Sequence, residues 1–253
     1  REYLNQARVG LVGYGGGGSH VGQQLAHVKV PRLTVFEPQT VEDTNLNRLV
    51  GAAQADVGHP KLDVARRVLG GLMSLDEVQL LPVRWQDAPE ALRACDVVVG
   101  CVDSARQRDE LERECRKWLI PYIDIGLGIT PSKLDGENPL MAGQVVVSLP
   151  GQHCLRCYRV VTDDALAMEA ANYGDTSPAP QVVWANGVLA SLAVGHVVGL
   201  LTGWQRIPAR HRFLRYDADG CAVPLPDYER KLLPPTCTHY LLKDAGPAVV
   251  RKA

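Results

Sequence analysis

A surplus of one charge is the first thing this chain lacks. Its 27 Lys and Arg stand against 28 Asp and Glu, a net charge of −1. Such a balance gives no bulk attraction to nucleic acid or to an anionic membrane, so neither is expected as a partner. Internal repeats and low-complexity tracts are also missing, which excludes repeat architectures and flexible polar arrays. No signal peptide is read ahead of the first strand, and because the sequence opens at Arg1 rather than Met it is read as a portion of a longer chain. A clean membrane span is absent too. The most apolar stretch, Val182 to Leu201, is interrupted by Asn186, Ser191, His196, Gly187, Gly195 and Gly199, and is read as a buried, closely packed helix. Seven cysteines are an odd number in a large chain without a secretion signal. Disulfides are therefore not expected, whereas a metal site or free thiols are. What remains is an ordinary globular composition, in a length that allows one large α/β domain or one domain plus an appendage.

The densest feature present is Val9-Gly10-Leu11-Val12-Gly13-Tyr14-Gly15-Gly16-Gly17-Gly18-Ser19-His20. An apolar strand runs straight into a glycine turn, which opens a helix expected over Val21 to Val28. That arrangement aims backbone N–H groups and the positive end of a helix at one spot, which suits a phosphate. Downstream, strand and helix patterns alternate, as in a parallel sheet with helices on both faces. Strands are expected at Arg8–Val12, Leu33–Glu37, Gln79–Val83, Val97–Cys101 and Tyr122–Gly126, and helices at Lys61–Leu72, Pro89–Ala94 and Ser104–Trp118. After Gly128 the character shifts. Gln144–Ser148 reads as an antiparallel strand, with turn signals at Asp135-Gly136 and Pro150-Gly151. A loop-rich segment (158–181), the apolar helix, a strand around Arg212–Asp217 and an irregular tail from Ala222 complete the chain. The expected fold class is α/β, Rossmann-like, with a mostly parallel sheet extended by antiparallel strands. It is read as a single domain over 1–253, with a nucleotide-binding half (1–128) and an antiparallel, substrate-side half (129–253).

A glycine turn after the first strand is common to many dinucleotide- and nucleotide-binding folds. Glu37 ends the second strand 24 residues after Gly13, where an acid can hydrogen-bond a ribose diol, so an NAD-dependent dehydrogenase and an ATP enzyme fit equally at this point. Glu42-Asp43-Thr44-Asn45-Leu46-Asn47-Arg48 and Gly58-His59-Pro60-Lys61 separate them. Two fixed cations, Arg48 and Lys61, follow the glycine turn, and Asp103 ends the strand read over Val97–Asp103. Cations plus an acid able to hold Mg²⁺ are what a triphosphate needs, whereas NAD⁺ needs neither.

These residues resemble the ThiF/MoeB/ubiquitin-activating-enzyme superfamily of adenylating enzymes. The resemblance covers nearly the whole chain. It lies in the GxGGxGS-like loop Gly13 to Ser19, an acid eight residues before the "NLNR" block, and Lys61 thirteen residues beyond Arg48 in a "G-x-P-K" context. It ends with a strand end of the "D-x-x-D-S/N" kind, here Gly100-Cys101-Val102-Asp103-Ser104. The resemblance implies that the backbone at Gly13, Gly15 and Gly16 approaches the phosphates and that Glu37, where the family usually has Asp, holds the ribose. It further implies that Asn45 and Arg48 contact phosphates, Lys61 the β/γ region, and Asp103 the Mg²⁺. Arg48, Lys61 and Asp103 are the expected catalytic set. The implied reaction is attack of a substrate carboxylate on the α-phosphate of ATP, giving an acyl-adenylate and pyrophosphate. A carboxylate is already ionised at neutral pH, so the site must supply position and charge neutralisation rather than a base. The family's upstream arginine has no comfortable match, since Arg1 is too close to the first strand. Gly17, which makes four consecutive glycines of Gly15 to Gly18, stands where the family usually carries a bulkier residue, which predicts a looser loop.

Cys154-Leu155-Arg156-Cys157 is a CxxC after a turn, and Cys237-Thr238-His239 follows far downstream. Two distant, short-spaced pairs are a common way to build a tetrahedral zinc site. Many members of the resembled family carry CxxC in both places. Here Tyr240 stands where the fourth Cys would be, so His239 is the candidate fourth ligand of a Cys₃His site; a relic CxxC without metal is the alternative. Cys221 is a reserve ligand, and Cys95, Cys101 and Cys115 are read as buried thiols. The segment Tyr158 to Gln181, where ubiquitin-activating relatives often keep a thioester cysteine, contains none. The expectation is a cytoplasmic enzyme that adenylates the C-terminal glycine of a small ubiquitin-like or sulfur-carrier protein and hands the adenylate on. Homodimerisation, or membership of a larger assembly, is implied by the resemblance. Adenylation of a peptide or small carboxylate, and a non-catalytic docking subunit, remain as alternatives.

Overall fold

A computed structural model describes residues 6–130, 140–171, 181–204, 208, 211–224, 231–241 and 245–246. Seven strands form one sheet in the order β3-β2-β1-β4-β5-β6-β7. Their ranges are β1 Arg8–Val12, β2 Arg32–Phe36, β3 Val78–Leu81, β4 Val97–Gly100, β5 Tyr122–Thr130, β6 Leu140–Ser148 and β7 Phe213–Asp217. The first five run parallel, and β6 and β7 are antiparallel additions. The sheet thus continues across the expected boundary between the two halves. The helices are α1 Gly16–His27, α2 Lys61–Gly70, α3 Pro89–Arg93, α4 Ala105–Lys117, α5 Asp163–Ala171 and α6 Val183–Thr202.

Strand alternation sorts side chains onto two apolar layers. Leu11, Leu33, Val35, Val97, Val99, Ile123 and Val145 face α1, α2 and α6. Val12, Phe36, Val98, Tyr122 and Val146 face α3, α4 and the 155–161 turn. Helix α6 is long and apolar enough to cross a membrane by length and composition. It nevertheless buries Ala185, Leu189, Ala190, Ala193 and Val197 in the layer shared with α1 and the sheet, which is the burial expected for it from its polar and glycine positions.

Four elements differ from expectation. Helix α1 begins at Gly16 rather than Val21, with Gly15 as its N-cap and Ser19 N bonded to Gly15 O at 2.9 Å. Glycine disfavours a helix by about 1 kcal/mol, but contact decides here: a Cβ on Gly18 would lie 2.0 Å from Gly13 O. Gly17 accordingly sits inside a helix rather than in a loose loop, and a methyl there would meet Asn186 Oδ1 at an ordinary 3.6 Å. Strands β5 and β6 extend to nine residues each and pair along their whole length, because the pairing reaches past the alternation signal at Gly126 and Gln144. Helix α5 lies in the segment expected to be loop-rich. Asp135-Gly136 and the 172–177 stretch fall outside the described residues.

His196 on α6 is buried, and neither ring nitrogen has a hydrogen-bond partner among the described residues. Burial, with His211 nearby, lowers its pKa from 6.5 to about 4. The unfolded chain therefore binds the extra proton between pH 6.5 and 4, and stability falls as pH drops through that window and levels off below it. The lost stabilisation is about 3 kcal/mol for a shift of this size. Urea unfolding at pH 7 and pH 4.5 should show a smaller pH-dependent loss for His196→Phe than for the parent. An equal loss in both would remove His196 as the source.

Candidate functional site

Hydrogen bonds continue one residue past three parallel strands. Gly13 N bonds to Phe36 O, Cys101 N to Val12 O and Glu37 N to Leu81 O, at 2.8–3.1 Å. The chains leaving β1, β2 and β4 therefore emerge together at the carboxyl edge, where the strand order reverses between β1 and β4 and ligands of open α/β sheets bind. Gly13 turns the chain there with φ of 91°, and its α-carbon lies so near Cys101 that a Cβ would stand 2.5 Å from Cys101 O.

Glu37 is 4% exposed. Its Oε2 accepts from Tyr14 N at 2.7 Å and its Oε1 from Gln39 N at 2.8 Å. The longer acid thus reaches back to the glycine turn, and each oxygen keeps a further lone pair. Gln39, which no motif singled out, links this acid to the lysine. Lys61 N bonds to Gln39 O at 3.0 Å and Lys61 Nζ to Gln39 Oε1 at 2.7 Å. Lys61 opens α2 and is only 7% exposed.

Ser19 Oγ accepts from Val50 N at 3.0 Å, fastening the segment that carries Arg48 to α1. Arg48 bonds to Asn47 Oδ1 at 3.0 Å and to Thr44 O, and its Cδ lies 3.1 Å from where a Gly16 Cβ would be. Asn45 is buried and caps a short helical turn, its Oδ1 accepting from Glu42 N at 3.1 Å. Among the described residues, neither Arg48 nor Lys61 has a carboxylate within ion-pair distance, although ten such pairs form elsewhere.

Asp103 is exposed in the loop after β4, three residues beyond the strand end at Gly100 rather than within the strand. Its Oδ1 accepts from Gln181 Nε2 at 3.1 Å. Gln181 and Asn186, also unselected by the sequence, lie over Gly16, whose Cβ position is 3.0 Å from Gln181 Oε1 and 2.6 Å from Asn186 Nδ2. The glycine turn, Glu37, Lys61, Arg48 and Asp103 are thus joined through Gln39 and Gln181 into one connected site. Beneath it, Arg108 of α4 donates to Asp124 of β5 and to Ile125 O at 2.9 Å, and Tyr122 Oη donates to Asp124 at 2.9 Å. Burial raises the Asp124 pKa while Arg108 and Tyr122 oppose that rise.

At the opposite end of α4, Cys154, Cys157, Cys237 and His239 bring their ligand atoms within 4.8 Å of one another. Cys154 Sγ lies 3.6 Å from Cys157 Sγ, and His239 Nδ1 lies 3.4 and 3.5 Å from the two sulfurs. Burial raises the Cys154 and Cys157 thiols. Cys237 is lowered in spite of its burial, because the N–H groups of Tyr240 and His239 point at its sulfur. Glu112 accepts from Leu155 N at 2.9 Å, and Arg156 pairs with Asp109 at 2.8 Å, so α4 grips the CxxC turn. Tyr240, in the place of a fourth cysteine, lies under the Arg116 guanidinium at 5.1 Å. Cys221 is exposed and outside this group. Cys95 and Cys115 are buried as expected, whereas Cys101 is only half-buried; burial raises the thiols of Cys101 and Cys115.

The sequence pattern of the ThiF family matches residues 1–231. The molybdopterin-synthase adenylyltransferase of Escherichia coli (strain K12) is 29% identical over 226 residues, covering 87% of this chain and 83% of that protein. The sulfur carrier protein adenylyltransferase of Thermus thermophilus is 42% identical over 106 residues, covering 41% of this chain and 39% of its own length. A solved structure of E. coli MccB with ATP shares the fold with a TM-score of 0.68 at 20% identity, over 88% of this chain and 64% of that one. This chain therefore spans less than two thirds of the MccB chain. The matched pattern takes in the glycine turn, both cations, Asp103, the CxxC and the whole seven-stranded sheet, and by that extent this chain belongs to the ThiF family.

Proposed function

We propose that this chain is an ATP-dependent adenylyltransferase that activates the C-terminal glycine carboxylate of a small ubiquitin-like or sulfur-carrier protein. The observation that carries this is a pair of cations without a carboxylate partner among the described residues: Arg48 lies against Gly16, and the buried Lys61 is tied to the glycine turn through Gln39 and Glu37. An unpaired buried charge is costly, and an anionic ligand relieves it. The named relatives act on molybdopterin synthase and on a sulfur carrier protein, which supports the same class of substrate here.

In this scheme the backbone from Gly13 to Gly16 and the N-terminus of α1 take the phosphates, and Glu37 takes the ribose hydroxyls. Arg48, with Asn45 beside it, and Lys61 draw charge from the phosphate chain as it develops. Asp103 fits a divalent cation: it is exposed in the loop after β4, and among the described residues its Oδ2 has no hydrogen-bond partner. Mg²⁺ bound there would shield the β- and γ-phosphates. The substrate carboxylate oxygen attacks the α-phosphorus, the bond to the bridging oxygen breaks, and pyrophosphate leaves with that electron pair. No cysteine occurs between Tyr158 and Gln181, so the product is the acyl-adenylate rather than a thioester on that segment.

The Cys/His cluster fits a structural zinc. Bonds of about 2.3 Å to sulfur and about 2.0–2.1 Å to nitrogen give tetrahedral edges of about 3.8 Å between sulfurs and about 3.6 Å from sulfur to nitrogen. The 3.6, 3.4 and 3.5 Å separations lie close to those edges. Homodimerisation and a cytoplasmic location belong to the same proposal. ATP–pyrophosphate exchange tests it directly: exchange should appear when a small carrier ending in glycine is added. Retained ATP binding without exchange for any protein, peptide or small carboxylate would replace the enzyme with a docking subunit.

A further inference from the structure

The amides of Gln181 and Asn186 form an oriented chain ending on Asp103. Asn186 is 3% exposed and is fixed on α6 by a bond from its Nδ2 to Val182 O at 3.1 Å. The same Nδ2 donates to Gln181 Oε1 at 3.3 Å, and Gln181 Nε2 donates to Asp103 Oδ1 at 3.1 Å. A carboxylate only accepts, so the Gln181 amide must turn its nitrogen to Asp103 and its oxygen to Asn186. The Gln181 backbone is held as well, with Asn47 Nδ2 bonded to Gln181 O at 3.3 Å.

We propose that Gln181, set by Asn186, is a positioning residue that orients the Asp103 carboxylate toward the divalent cation accompanying ATP. The proposal rests on the adenylation reading above. Asp103 is exposed, and an exposed carboxylate otherwise distributes among rotamers. The amide holds Oδ1 and leaves Oδ2 to face the cation, the arrangement by which outer hydrogen bonds tune a ligand, worth roughly 10–100-fold in metal affinity. The amide serves both ends: it accepts from Asn186 and donates to Asp103, which neither a carboxylate nor an apolar chain can do. The start of α6 thereby takes part in the cation site from 78 residues away in sequence.

Calorimetric titration of ATP binding against Mg²⁺, with no carrier protein present, tests this in the intact chain. Gln181→Ala and Gln181→Met should each raise the Mg²⁺ concentration for half-maximal ATP binding by about 10-fold or more. Binding should recover at saturating Mg²⁺ and thermal melting should be unchanged, which a merely structural defect would not allow. An unchanged half-point in either folded variant overturns the proposal while leaving adenylation standing. A lowered half-point overturns it too, since the amide would then be competing with the cation. Absence of Mg²⁺-dependent ATP binding in the parent would instead remove the adenylation reading, and this inference with it.

Discussion

Lys61→Met should lower ATP–pyrophosphate exchange by about 10²- to 10³-fold without destabilising the fold, and Asp103→Ala should lower it at least as far. Such a loss equals about 2.7–4 kcal/mol of transition-state stabilisation, the usual effect of deleting one preorganised charge partner. Lys61 is the sharper case. It is 7% exposed, and its ammonium is hydrogen-bonded only to the neutral Gln39 amide among the described residues. In the ligand-free protein that charge pays a desolvation penalty with no ion pair to offset it, so an apolar chain of similar length should leave stability equal or higher. A residue placed for folding would show the reverse, a drop in melting temperature with the rate. Asp103 is exposed, so its replacement should leave melting unchanged and abolish the response to Mg²⁺. Exchange rates and melting curves on the same preparations check both variants. An unaltered rate in Asp103→Ala would take that residue out of the cation role, and a destabilised Lys61→Met would recast Lys61 as a structural residue.

Zinc removal should have the second large effect, and a local one. The chain should purify with about one zinc, and either chelation or Cys154→Ser should bring this close to zero and lower the melting temperature by about 10 °C, as expected for a loss of several kcal/mol. His239→Cys should retain the metal, because a fourth thiolate completes the same tetrahedron. The 231–241 segment is held to the body by the cluster, by the His153–Pro234 contact at 2.8 Å and by Tyr240 under Arg116. The central sheet uses none of these. Metal-free protein should therefore keep its sheet signal by circular dichroism and be cleaved first in the 231–241 segment under limited proteolysis. Metal-free protein of normal stability would show that the cluster holds nothing.

The sequence was most legible where one short stretch does one job. The apolar run Val9 to Val12, the glycines behind it and the acid at Glu37 lie close together, and strand alternation and the demand for small residues at Gly13 and Gly18 are local properties of the backbone. The NLNR block and Gly58 to Lys61 were legible for the same reason, since two fixed cations following a glycine turn already suggested a triphosphate. The CxxC and Cys237-Thr-His239 could be paired because metal-ligating side chains are few. Their meeting across 85 residues, and the use of His239 Nδ1 rather than Nε2, appear only in the fold. The start of α1 was misplaced because helix propensity speaks against glycine, while the close approach of Gly18 to Gly13 speaks for it.

Taken by itself, the sequence determined the parallel α/β frame, the glycine turn, the two cations, the acid at Asp103 and the four metal-ligand candidates, because each is written in residue type and short spacing. Only the tertiary structure decided how those parts are joined. Gln39 connects Glu37 to Lys61, Gln181 and Asn186 connect α6 to Asp103, and α4 grips the CxxC turn through Asp109 and Glu112. Glutamine and asparagine are common on any surface, so their types carry no signal. What gives them a role is the partner each meets across the fold, and that is set by which helices pack on the sheet edge where β1 and β4 part.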